Sequence, residues 1–171
     1  LKDVELNVNY LLIISTSAGL WSYNIGDTIK FTSVEPFRII VTGRIKHFLS
    51  AFGEHVISEE VEKAMEAATK LHNVAIREFT VAPNINPKEM LPHHEWYVEF
   101  ESLPKDMLAF SKALDKEMTR LNIYYKDLID GKILKSLEVI SVIRGGFNQY
   151  MKSEGRLGGQ NKVPRLSNDR K

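Results

Sequence analysis

Two helical patterns enclose a pair of strand patterns in the second half of the chain, and this order leaves few ways to bury its apolar residues. Val61, Ala64, Met65, Ala68 and Leu71 recur at the spacing of one helix face. Ser58 is placed to cap that helix, Glu59 and Glu60 suit the positive end of its dipole, and Asn73 ends it. Met107, Phe110, Leu114, Met118 and Leu121 form a second amphipathic face, with Pro104 at a helix start. Between them, residues 74–82 and 95–101 read as strands, the latter with Trp96, Val98 and Phe100 on one face, and the loop joining them suits a hairpin. A short helix over 123–130 stops at Gly131, 137–143 reads as a buried strand, and a last short helix covers 147–152. The expected fold is α+β: a small, mostly antiparallel sheet with helices packed on it.

The opening segment is different. Residues 10–16, 20–25, 28–32 and 37–41 read as β-strands, separated by turns at Ala18-Gly19, Gly26-Asp27 and Pro36, and no helix pattern interrupts them. A boundary is therefore expected near Arg44, with residues 1–43 a β-strand segment and 44–171 the α+β domain. A further strand-turn pair is expected around 45–57.

Composition excludes whole classes of chemistry. There is no cysteine among the 171 residues, which removes disulfide frameworks, thiolate metal sites and cysteine nucleophiles, and is compatible with a cytoplasmic setting. The longest apolar run is far shorter than the roughly 20 residues that span a bilayer, so no membrane partner is expected. Because the chain opens on Leu1 without a signal-peptide pattern, it is expected to be a fragment of a longer protein. The net charge of +1 hides an asymmetry: residues 151–171 carry six basic and two acidic groups, while the remainder is net acidic. A basic tail of this kind is a solvated terminus, a nucleic-acid contact or a polyphosphate contact.

Individual motifs are weak. Gly155, Gly158 and Gly159 precede Lys162, but Asn161 before it and Val163 after it break the Gly-Lys-Ser/Thr order of a phosphate loop. His93 and His94 are adjacent, point oppositely on an extended backbone and do not chelate one metal, so no metal site is expected. Glu59, Glu60 and Glu62 are accounted for by the helix dipole and a solvated face. Tyr23-Asn24-Ile25-Gly26-Asp27 and Gly43-Arg44 each read singly as turn chemistry.

Taken in order, three segments are more specific. LLIISTSAGLWSYNIGD, residues 11–27, resembles the strand-turn-strand of adenylate-forming enzymes that ends in Tyr-x-x-Gly-Asp. VTGRIKHFLSAFGEHVISEEVE, residues 41–62, resembles their hinge region, where Gly-Arg precedes a hairpin and a helix bearing Glu-x-x-Glu. GQNKVPR, residues 159–165, is similar to the C-terminal lysine segment of the auxin-responsive (Gretchen Hagen three) acyl-acid amido synthetases, and the chain is identified as resembling a bacterial-type relative of that family.

The resemblance implies that residues 1–43 end a large N-terminal domain and that 44–171 form the mobile C-terminal domain of an ATP-dependent ligase. Such an enzyme adenylates a carboxylic acid and transfers the acyl group to an amine or amino acid. Its implied cofactor is ATP with Mg2+, bound mainly by the N-terminal domain, and its implied partners are the acid, the amine and that domain. Carried over by position, Lys162 is the adenylation lysine, while Asp27, Arg44 and Tyr23 bind nucleotide and Lys46 is the hinge residue. The fragment alone is expected to be inactive. The competing expectation is a nucleic-acid-binding or non-catalytic interaction module, resting on the basic tail with Phe147 and Tyr150. The net acidic body and the absence of a recognition motif count against nucleic acid.

Overall fold

The computed structural model describes residues 3–44, 48–88, 90–156 and 162–168. It divides into two compact units, Leu1–Phe48 and Leu49–Lys171.

In the first unit, β1 (Asn9–Ile14), β2 (Tyr23–Val34) and β3 (Phe37–Arg44) form an antiparallel sheet in that order. Ile29 and Phe31 are buried, and the Phe31 ring meets Tyr10 and Phe37 edge-on, each at 5.8 Å between centroids. Two strands were expected where one is found. The pairing passes from Leu11↔Thr28 to Ile13↔Asn24, so extra residues around Ile25 and Gly26 bulge out of β2 without ending it. Several large apolar side chains stay exposed, among them Ile13, Phe37, Ile40 and Val41.

Strand β4 (Phe48–Leu49) straddles the boundary and pairs with β5 (Val56–Ile57), where a strand-turn pair was expected. Helix α1 (Ser58–His72) follows, then β6 (Ile76–Asn84), β7 (His93–Phe100), α2 (Met107–Leu121), α3 (Ile123–Asp130), β8 (Glu138–Ser141) and α4 (Gly146–Ser153). Strands β6 and β7 form the expected antiparallel pair, whereas β8 runs parallel to β7. The chain returns to β8 through α2 and α3, and a crossover of that kind delivers a parallel strand.

Alternation sorts the sheet into two faces. Phe79, Val81, Trp96 and Val98 join Val61, Ala64, Met65, Phe110, Leu114 and Met118 in the core, with Phe79 and Trp96 stacked at 5.8 Å. Leu71, expected on this face, is 74% exposed in the last turn of α1, which ends at Asn73 in a left-handed conformation. The start of α1 also differs from expectation. Ser58 is the first helical residue, and the Glu60 carboxylate reaches back to the Ile57 N–H at 3.0 Å, so the acidic side chain does the capping. Helix α2 starts after Asp106, whose carboxylate accepts from the Ala109 N–H at 2.9 Å, rather than at Pro104.

His94 lies on the helical face of the sheet. Its Nε2 lies 3.0 Å from Glu54 Oε1, and its ring stacks on Tyr125 at 5.2 Å. Glu54 also accepts from the N–H groups of Ala51 and Phe52, which ties the β4–β5 turn to β7. Burial pushes the Glu54 carboxyl up, but the hydrogen bonds and the His94 charge outweigh it and hold the group below its ordinary value.

Candidate active site

The lysine segment is built onto the free edge of β6. The Val81 N–H donates to the Arg165 carbonyl at 2.9 Å and the Ser167 N–H to the Val81 carbonyl at 2.8 Å, giving a parallel bridge between Val81 and Leu166. Leu166 is buried in the core beside it. Pro164 has no N–H to offer, and only its carbonyl is used: Thr80 Oγ1 donates to it at 2.7 Å.

Arg165 is the second fastening. Its Nε donates to Glu62 Oε1 at 3.1 Å, one terminal nitrogen pairs with Glu78 and donates to the Phe79 carbonyl at 3.1 Å, and the guanidinium lies 4.5 Å over the Phe79 ring. A planar fork does this, whereas a lysine ammonium does not. Three residues upstream, Lys162 is exposed, and among the described residues nothing neutralises its charge. The ammonium thus stands just before an anchored stretch, where no carboxylate among the described residues competes with an approaching anion.

Beneath the anchored stretch lies a cavity of about 500 Å³, lined by Val163, Pro164, Thr80, Tyr97, Phe147 and Tyr150 among others. It occupies the sheet face opposite α1, and α4 forms one wall.

In the first unit the bulge in β2 sets the position of Asp27. The Asn24 side-chain carbonyl accepts from the Gly26 N–H at 2.8 Å, and Gly26 takes a φ of 81°, where a residue with a Cβ is strained. Asp27 then falls directly opposite Arg44 in the antiparallel register, with Thr28 opposite Gly43. Tyr23, half exposed, begins β2 opposite Ile14, on the far side of the bulge. Lys46, the expected hinge residue, lies outside the described residues. Among the expected site residues, the strand register sets Asp27 opposite Arg44, and Lys162 lies on the second unit.

Residues 59–171 match the family described as "GH3 family C-terminal domain". The chain belongs to the GH3 family. Residues 1–44 of this GH3 chain match "GH3 family central domain". It is 29% identical over 181 residues to an indole-3-acetic acid-amido synthetase, GH3.4 of Arabidopsis thaliana, a match covering 96% of this chain and 30% of that protein. GH3.3 of the same plant is 27% identical, again over 96% of this chain and 30% of the relative. A probable indole-3-acetic acid-amido synthetase, GH3.2 of Oryza sativa subsp. japonica, is 26% identical with the same two coverages. Among solved structures, the GH3.15 acyl acid amido synthetase superposes with a TM-score of 0.76 at 22% identity, covering 98% of this GH3 chain and 33% of that one. The fold is therefore shared, and the chain spans about 30% of the length of the curated relatives.

Arg165 and Thr80 were not singled out from sequence. The Lys-x-Pro-Arg spacing marks an arginine near Lys162, but its carboxylate partners Glu62 and Glu78 lie about a hundred residues away in sequence.

Proposed function

We propose that this GH3 chain is the C-terminal part of an ATP-dependent acyl-acid amido synthetase, a ligase that works in the cytoplasm and is inactive without the family's large N-terminal domain. The observation that carries the reading is Lys162, an exposed ammonium at the mouth of a segment latched to β6 by Thr80 and Arg165. The exposed apolar residues of the first unit support the partner assignment, since uncovered side chains of this kind fit against further protein.

In this reading a carboxylate oxygen of the acid attacks the α-phosphorus of ATP, the bond to pyrophosphate breaks, and acyl-AMP forms. Two anions meet in that step, and Lys162 stabilises the charge that builds on the phosphoryl oxygens, most strongly where water is excluded. Asp27 accepts hydrogen bonds from the ribose hydroxyls, with Arg44 at the ribose or a phosphate and Tyr23 beside the nucleotide. Residues 1–43 belong to the large domain and 44–171 to the mobile one, turning at Lys46. Withdrawal of Lys162 then admits an amine, whose nitrogen attacks the acyl carbonyl. The bond to AMP breaks, the amine gives up a proton, and amide and AMP are released.

Mg2+ accompanies ATP in this chemistry and neutralises phosphate charge. Among the described residues, the one group of three able to hold an ion is His93, Glu95 and Glu138, and its imidazole does not suit a cation that prefers oxygen ligands, so no step is assigned to Mg2+ on this chain. The nucleic-acid reading loses ground because Arg165, one of the tail's basic groups, is already engaged by two carboxylates.

The test is made with the chain joined to the family's large domain and supplied with ATP, an acid and an amine. Pyrophosphate exchange that needs only the acid, and AMP release that rises with the amine, are expected. AMP release indifferent to the acid contradicts the reading.

A further inference from the structure

His93 opens β7 on the face away from the helices, and period-2 alternation puts Glu95 on the same face. The parallel register of β8 then sets Glu138 directly beside Glu95. His93 Nε2 lies 3.4 Å from Glu138 Oε2 and 3.8 Å from Glu95 Oε1, and the three ligand atoms all fall within 4.8 Å of one another.

Each member is oriented by a neighbour. His93 Nδ1 lies 3.1 Å from the Leu91 carbonyl, which only accepts, so the proton sits on Nδ1. Glu95 Oε1 accepts from Asn84 Nδ2 at 2.8 Å and its Oε2 from the Tyr97 hydroxyl at 2.6 Å. The Lys135 ammonium takes Glu138 Oε1 and touches the Met90 sulfur at 2.9 Å, which leaves Glu138 Oε2 facing the imidazole. Outer hydrogen bonds of this kind are how proteins aim metal ligands.

His93 is only 1% exposed, and its Nε2 makes no hydrogen bond. As a lone pair, that nitrogen is turned toward two carboxylates that repel it. As an N–H, it pairs with Glu138 and Glu95 only at 3.4 and 3.8 Å, without a well-formed hydrogen bond. A cation between the three atoms resolves both cases. Zinc-ligand bonds of about 2.0–2.2 Å at tetrahedral angles separate ligand atoms by about 3.3–3.6 Å; His93 to Glu138 at 3.4 Å matches this, and the remaining separations close on it with small side-chain rotations.

We propose that His93, Glu95 and Glu138 form a binding site for a divalent transition-metal ion of the zinc class, with a fourth position open. Imidazole with two carboxylates suits Zn2+ or Co2+ better than the hard cations. Glu138 is 43% exposed and gives the ion a way in, while Tyr97, which holds Glu95, also lines the cavity beneath the lysine segment. A bound ion there ties β7 to β8, so the site is structural, or it serves a ligand entering that cavity.

The test uses the full chain, stripped with chelator and titrated with Zn2+ by calorimetry and with Co2+ by visible absorption. One equivalent is expected to bind, giving the absorption of low-coordinate Co2+, a raised Tm and a shifted His93 ring signal in NMR. Glu138→Gln, at an exposed position where folding is retained, and His93→Gln should each weaken binding at least about tenfold, and Lys126→Ala, an exposed residue outside the cluster, should preserve it. No saturable binding at millimolar Zn2+ overturns the proposal, as does binding that both ligand variants leave unchanged.

Discussion

Thr80 Oγ1 donates a 2.7 Å hydrogen bond to the carbonyl of Pro164, two residues beyond Lys162. With the Val81 ladder it turns residues 164–167 into an added edge of the sheet. The position of the lysine is therefore set by β6, a strand whose own sequence carries no sign of catalysis.

Removing this bond should loosen the segment without unfolding the unit. Thr80→Val keeps the shape and drops the donor, at a cost of about 1 kcal/mol. Hydrogen exchange at the Ser167 amide should quicken while exchange in α1 stays unchanged, and equal protection in both proteins would show that the ladder alone holds the segment.

Arg165→Ala should act more strongly, because it removes the pairs with Glu62 and Glu78 and the contact over Phe79. Partial exposure limits the loss to about 1–2 kcal/mol in urea unfolding. Arg165→Lys should recover little of it, since an ammonium cannot reproduce the fork.

Gly26→Ala tests the bulge. No atom lies within 4 Å of an added Cβ, so crowding is absent and the cost comes from the φ of 81°. A loss of about 1 kcal/mol is expected, smaller for Gly26→Asn, which tolerates this conformation better. Under the proposed function, nucleotide affinity of the enzyme should fall along with it, because the bulge aligns Asp27 with Arg44.

Acid should weaken the second unit through Glu54. Its carboxyl titrates below its ordinary value near 4.5 in the folded state, so the stability it contributes is complete above that value and is lost as pH falls through the lowered one. Glu54→Gln should flatten this part of the urea-midpoint profile below about pH 4.5. Glu54→Ala, which leaves His94 and the Ala51 and Phe52 N–H groups without their acceptor, should cost about 1–3 kcal/mol at neutral pH.

Local chemistry made much of the fold legible. The helix over 123–130 ends where Gly131 follows it, and the spacing of Trp96, Val98 and Phe100 marks the buried face of β7. Gly26-Asp27 was misleading, because a glycine at positive φ serves a bulge inside a strand as well as a turn between strands. The opposed directions of His93 and His94 were also legible: one faces Glu54, the other Glu95. The nearness of Glu138 to His93 was not, since it depends on which strand β8 joins and in which direction. Lys162 stood out as a motif, while its latch depends on carboxylates contributed by α1 and β6.

The central claim is that Lys162 stabilises the charge of the adenylation step. The direct measurement is acid-dependent exchange of labelled pyrophosphate into ATP, with the chain joined to the family's large domain, comparing the native lysine with Lys162→Ala. The side chain is exposed, so the variant should fold normally. A fall of at least about tenfold, about 1.4 kcal/mol of transition-state stabilisation, is expected. Exchange that continues undiminished would contradict the assignment.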